Sequence, residues 1–282
     1  MRKIMLAGLV LAVGMLGTLR SAYCASDPGT QSGRFSIGVV QEYIFDRDME
    51  GGEVSMPPNL ESGNELMPPG VNNVTSEMKV KDLGMTLLKV GYQVSNNLNV
   101  YAKLGVTNGI GGFDMASSGT WAGGTFTEKE AYKEKSAFAG GLGLKLTLPL
   151  KNNWIIGVDA QYLAHQNDYS GKWSARFADS AGNLLPGLSI NQSRNNWGST
   201  TISEWHVAPF VAKNFGKFVP YIGIKYSDMK IDMLENSDRL QATDNWGAFV
   251  GADFKFNKNF SLNLEGRFID ENAASLAANF TF

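Results

Sequence analysis

The chain has 282 residues, with 25 Lys and Arg against 27 Asp and Glu, and 43% of it is apolar. A slightly acidic balance without a basic block argues against nucleic acid as a partner. The single cysteine, Cys24, excludes an intramolecular disulfide. Past the first two dozen residues there is no run of about 18 apolar residues, so no helical membrane span is expected.

The amino end reads as a secretory signal peptide. Met1-Arg-Lys3 is basic, Ile4 to Leu19 is apolar, and small residues at Ala22 and Cys24 precede a cut ahead of Ala25. Ser21-Ala-Tyr23 matches a lipobox poorly. Removing residues 1–24 leaves 22 basic side chains against 27 acidic ones, a net charge of −5. A short segment, 25–33, follows, and residues 34–282 read as one domain of β-strands.

Alternation defines the strands in chain order. The first carries Phe35, Ile37, Val39 and Tyr43 on one face. Leu88, Val90, Tyr92 and Val94 alternate up to the turn Ser95-Asn96-Asn97, and Leu98, Val100, Ala102, Leu104 and Val106 return. Phe138, Leu142, Leu144, Leu146 and Leu148 lead to Lys151-Asn-Asn153 and back through Trp154, Ile156, Val158, Ala160 and Tyr162. Trp205, Val207, Pro209 and Val211 precede Pro220, Ile222, Ile224 and Tyr226. Trp246 to Phe256 turns at Asn257-Lys-Asn259 into Phe260, Leu262, Leu264 and Phe268. The last strand alternates to the end, with Leu276, Ala278, Phe280 and Phe282 on one face. Pro149 and Pro220 fall at strand ends; Pro209 falls inside a strand and marks a local distortion.

Ten strands of roughly 9–11 residues suit a tilted membrane crossing, and an open edge in hydrocarbon would leave backbone groups without partners. The expected fold is all-β: a closed antiparallel transmembrane β-barrel of about ten strands, with short periplasmic turns and long extracellular loops at 46–78, 107–135 and 167–199. Aromatics fall where strands cross the two interfaces. Phe35, Tyr92, Trp154, Phe218, Phe256, Phe260 and Phe282 lie toward the turns; Tyr43, Tyr162, Trp205, Trp246 and Phe268 lie toward the loops.

The second face carries Glu42, Lys89, Lys103, Lys145, Asp159, Glu204, Lys225, Asp253, Lys255, Glu265 and Arg267, together with His165 and His206. A Lys or Arg facing lipid at the midplane costs about 2–4 kcal/mol, so these side chains point into the lumen. Five acids among six bases suggest mutual pairing that holds the lumen shut. A conducting pore more often shows a ring of one sign.

The hairpin Val90-Gly-Tyr-Gln-Val-Ser-Asn-Asn-Leu-Asn-Val-Tyr-Ala-Lys-Leu-Gly105, the glycine-rich strand Phe138-Ala-Gly-Gly-Leu-Gly-Leu-Lys145 and the closing Phe282 resemble the small outer-membrane β-barrels of Gram-negative bacteria, the group of OmpA-like and opacity-type barrels. The resemblance implies export to the cell outer membrane. Phe280 and Phe282 then form the signal read by the barrel-assembly machinery, and lipopolysaccharide becomes a neighbour. It implies architecture and says little about activity.

Candidate chemistry is sparse. His165 lies near Asp168 in sequence, and Asp46, Asp48, Asp228 and Asp270 are further rim carboxylates; ten-stranded omptin proteases also carry His and Asp at the outer rim. Asp46-Arg-Asp48 and Asp228-Met-Lys-Ile-Asp232 resemble weak calcium spacings but lack the ligand count of a dedicated site. Gly109-Ile-Gly-Gly112 and Gly123-Gly124 read as turn glycines, and Met56-Pro-Pro58 and Met67-Pro-Pro69 as stiff extended surface. No cofactor, metal or catalytic residue is expected. The leading reading is a non-enzymatic barrel with a salt-bridged lumen, acting through surface ligands at loops 46–78, 107–135 and 167–199. The alternative is a narrow porin for small solutes, and the third reading is an omptin-like hydrolase at the rim.

Overall fold

The computed structural model describes residues 33–51, 72–109, 111–121, 123–185, 190–233 and 239–282. The signal-peptide reading and the two Met-Pro-Pro segments lie outside the described residues. Alternation gives each strand one apolar and one polar face, and backbone ladders join these strands edge to edge. They are β1 (Arg34–Gly51), β2 (Asn72–Gln93), β3 (Leu98–Thr107), β4 (Gly112–Trp121), β5 (Gly124–Glu134), β6 (Phe138–Pro149), β7 (Trp154–Asp179), β8 (Ile190–Lys213), β9 (Phe218–Met233), β10 (Arg239–Ala242), β11 (Trp246–Lys255), β12 (Phe260–Phe268) and β13 (Asn272–Thr281). Among the described residues no helix is long and apolar enough to cross a membrane.

Ten strands, in the order β1-β2-β3-β6-β7-β8-β9-β11-β12-β13, form an antiparallel ring. β1 and β13 close it from Ser36↔Thr281 to Asp46↔Asn272. These are the ten strands read from alternation. Their apolar faces point outward: Phe35, Leu142, Ile222 and Trp246 are each more than half exposed, as a lipid-facing belt requires. The ladder between β8 and β9 pairs Val207 with Tyr226 and Phe210 with Gly223 but skips Ala208 and Pro209. The proline's missing N–H accounts for the gap.

The extracellular connections are long, as expected, but much of their length is strand. β1 runs to Gly51, β4 and β5 occupy 112–134, and β7 reaches Asp179. At about 3.3 Å per residue the 26 residues of β7 span about 85 Å, far more than a hydrocarbon core of about 30 Å needs. Partners change on the way out. β2 pairs with β3 at Met85–Gln93 and with β4 at Asn72–Lys81. Asp82 sits at the switch with φ of 54°, and its carboxylate accepts the Tyr43 hydroxyl at 2.8 Å. β7 leaves β6 for β5, and β10 bridges β9 to β1. Above the bilayer the wall is therefore a second ring, of the eight strands β1, β2, β4, β5, β7, β8, β9 and β10.

Inside the membrane ring, aromatic side chains lie flat on the wall over glycines. Tyr101 is the ladder partner of Gly143, and Tyr221 of Gly251. A Cβ on either glycine would overlap the tyrosine ring. Phe249 over Gly223 and Phe210 over Gly157 repeat the arrangement. Flat rings keep lumen space free that upright rings would fill. Gly143→Val and Gly251→Val should each destabilise the barrel by about 1–3 kcal/mol, read as a lower urea midpoint for loss of heat-modifiable migration; Gly140→Ala, where an added Cβ meets only ordinary van der Waals contacts, should spare that midpoint.

Candidate functional site in the barrel interior

The interior has three levels, and all eleven charges expected in the lumen lie in the lower two. The middle level is an ion cluster. Arg47 donates from Nη1 to Glu204 at 3.0 Å and from Nη2 to the Ser227 hydroxyl at 2.8 Å, with Glu271 at 3.7 Å and Asp270 at 3.9 Å. Lys225 reaches Glu271 at 2.5 Å and Asp270 at 2.7 Å. Arg267 lies 3.3 Å from Glu271 and 3.7 Å from Glu42, which takes Lys103 at 2.5 Å. The side chains of Arg47, Asp270 and Glu271 have no exposed surface.

Arg47, Asp270 and Glu271 are absent from the lumen set read by alternation. The register of β1 shifts between Ile44 and Asp46. That bulge moves Arg47 inward and leaves Asp46 and Asp48 outside, where strict alternation from Glu42 would have reversed them. The turn from β12 to β13 passes through Ile269 with φ of 84°, a strained conformation for a β-branched residue. It folds Asp270 inward, against Gly247.

The lower level, toward the periplasmic turns, is a chamber of about 180 Å³ that extends to the ladder pair Ser36 and Thr281. Here the charges are not mutually paired as expected. Asp159 accepts the Tyr101 hydroxyl at 2.6 Å and lies 3.7 Å from His206 Nε2. Glu265 accepts the Tyr221 hydroxyl at 2.9 Å, and Asp253 accepts Asn263 at 2.8 Å. The Lys89 ammonium lies 3.8 Å from the Tyr101 ring centroid, and that of Lys145 lies 4.9 Å from Phe210. Lys255 also lines the chamber.

The upper level is largely apolar. Ile44, Met49, Met78, Val80, Leu83, Phe113, Tyr169, Ile202, Met229, Ile231 and Leu240 form one buried cluster. Glu128, Glu130 and Glu134 enter it from β5 and are themselves buried. Trp173 donates to Glu128, Tyr132 to Glu130, and Asn167 to Glu134. Burial, reinforced by the neighbouring Glu128, pushes the Glu130 carboxyl up to about 7. Burial likewise pushes Glu134 up to about 7, against the hydrogen bonds from Thr107 and Asn167.

The remaining sequence candidates do not assemble into a site. His165 is buried inside, while Asp168 lies outside with Ser199 at 2.6 Å and Lys135 at 4.0 Å. An odd spacing of three puts them on opposite faces of β7. Asp46 holds Asn272, Asp48 holds Lys79, and Asp228 holds Lys230, so neither calcium spacing converges on one point. Among the described residues, no three His, Cys, Asp or Glu side chains group as metal ligands.

No protein-family model matches the chain, and no curated protein matches it. Among solved structures it is similar to the outer membrane protease OmpT of Escherichia coli, with a TM-score of 0.51 and 13% identity over 91% of this chain and 100% of that one. The β domain of the Bordetella autotransporter BrkA aligns at a TM-score of 0.33 and 10% identity, covering 89% and 99% of the two chains. The fold is that of an outer-membrane β-barrel. At such identity the likeness to OmpT is one of fold.

Two predictions test the levels of this outer-membrane barrel. Arg47→Ala strands Glu204, Asp270 and Glu271 around a lost cation and should cost about 3–5 kcal/mol in urea unfolding. Lys79→Ala, which breaks an exposed pair with Asp48, should cost under about 1 kcal/mol. The second concerns pH. Glu130 and Glu134 bind their protons more tightly folded than unfolded, so their contribution is complete below the ordinary value of 4.5 and is lost as pH rises through about 7. Protease resistance of the extracellular extension should therefore fall between pH 5 and pH 8, and Glu130→Gln with Glu134→Gln should flatten that slope.

Proposed function

We propose that this chain is an integral protein of the cell outer membrane that acts through its extracellular β-extension, catalysing no reaction and conducting no solute. The observation that carries this reading is the filled interior: the ion cluster around Arg47 and Lys225 sits beneath the apolar cluster around Phe113 and Ile231. A water path would have to cross both. The kinship with small OmpA-like and opacity-type barrels belongs to the same reading, as does a surface ligand on the strands and turns at 46–78, 107–135 and 167–199.

Two partners follow. Phe280 and Phe282 on the closing strand, with ring centroids 5.8 Å apart, suit recognition by the barrel-assembly machinery. Lys79, Lys81, Lys129, Lys133 and Lys172 lie on the outer surface of β2, β5 and β7 above the aromatic girdle. Cations at that height suit the phosphates of lipopolysaccharide.

Single-channel recording of the refolded chain in a planar bilayer tests the reading. No ohmic steps are expected; steady steps that shift with Lys103→Met or Glu204→Gln would make the protein a narrow porin. Reversing Lys129, Lys133 and Lys172 to Glu should weaken binding to lipopolysaccharide-containing vesicles several-fold and leave the urea midpoint in place.

A further inference from the structure

We propose that the lipid-facing wall formed by β1 and β2 is the interface for a second copy of this chain, joined within the membrane through the side chain of Gln41. The inference stands apart from the role of the extracellular extension.

The outward face of the ten-strand ring is apolar apart from one spot. On β1, Ile37, Val39 and Gln41 stand between the outward rings of Phe35 and Tyr43; on β2, Val90, Leu88 and Thr86 continue up from Tyr92. Gln41 and Thr86 are ladder partners, and the Thr86 hydroxyl donates to Gln41 Oε1 at 2.6 Å. On the other eight strands of the ring, the described outward residues at the depths spanned by Ile37 to Gln41 are Gly, Ala, Val, Leu, Ile, Pro or Phe. A carboxamide carries two N–H donors besides its oxygen. Among the described residues, none accepts from Gln41 Nε2. Gln41 lies two residues inside Tyr43, about 5 Å deeper than the headgroup level that a girdle tyrosine marks. Hydrocarbon at that depth supplies no water to complete its bonds.

Copies inserted in one membrane point the same way and sit at one depth. A two-fold axis along the membrane normal therefore brings β1 against β1 with the two amides level. Each Nε2 then donates to the partner's Gln41 at Oε1, which keeps a second lone pair beside the one that Thr86 uses. The two bonds are reciprocal and need no other residue type. The wall around Gln41 is low. Ala274 and Ala278 of β13 flank Leu276, the ladder partner of Gln41, on the outward face, and the Tyr43 ring lies against Gly84. Small side chains at a contact inside the membrane let the two backbones close up. Acyl chains offer an N–H no acceptor; a second copy supplies one at the required depth.

Sedimentation equilibrium of the folded chain in density-matched detergent micelles tests the inference. The unaltered chain should show a monomer–dimer equilibrium. Gln41→Leu should raise its dissociation constant at least fivefold and leave the urea midpoint no lower, since the new side chain suits lipid. Val207→Ala, on β8 at the opposite side of the ring, should leave the dissociation constant in place. The inference fails if the unaltered chain is monomeric at every concentration, or if Gln41→Leu dimerises as tightly as the unaltered chain. It also fails if Val207→Ala weakens the dimer as much as Gln41→Leu, because association is then not specific to this wall. A monomeric chain in which Gln41→Leu weakens binding to lipopolysaccharide-containing vesicles would assign the amide to a lipid carbonyl and overturn the inference.

Discussion

A backbone inside hydrocarbon finds no water for its N–H and C=O groups, so each must be paired within the protein. In this chain that demand is met by one ring of ten strands, closed where β1 meets β13. The rest follows from closure combined with the two-residue period of a strand. Once Leu88, Val90 and Tyr92 face lipid, Lys89 has nowhere to go except the lumen. The interior chemistry is thus a consequence of the wall.

Closure also concentrates charge where it is expensive to hold. Each ion removed from water costs several kcal/mol unless its partners are well placed, and the three levels meet that cost differently. In the middle, Arg47, Lys225 and Arg267 share the carboxylates of Glu42, Glu204, Asp270 and Glu271. Toward the periplasm, the chamber's open space lets charges rest on neutral donors and aromatic faces. Beyond the bilayer, Glu128, Glu130 and Glu134 meet an apolar filling, and the last two hold their protons close to neutral pH.

The passage from ten strands to eight explains why the upper level is filled and the lower one is not. A ring of about eight strands has an interior that side chains fill, and the eight-strand wall above the bilayer encloses Phe113, Met229 and Ile231 tightly. The ten-strand wall is wider, and its rings lie flat over Gly143, Gly223 and Gly251. Interior volume is therefore set by strand count and by a few glycines together.

The membrane ring was legible because alternation is local: Leu98 to Val106 or Trp246 to Phe256 shows its lipid face without reference to any other strand. The same logic placed eleven charges in the barrel interior. The extracellular strands β4 and β5 were not legible, because Glu128, Glu130 and Glu134 occupy inward positions where apolar residues would have signalled a strand. Nor was Arg47: one bulge near Phe45 reverses the faces that follow, and a bulge is set by the partner strand. His165 and Asp168, neighbours in sequence, turned out to lie on opposite sides of the wall. By itself the sequence determined which segments form the ten-strand ring and, wherever the ladder runs without a bulge, which way their side chains face, since both depend on a period of two residues. Only the tertiary structure decided which charges meet across the lumen and where the interior is filled or open, because those depend on ring order, strand number and register, which no single strand carries.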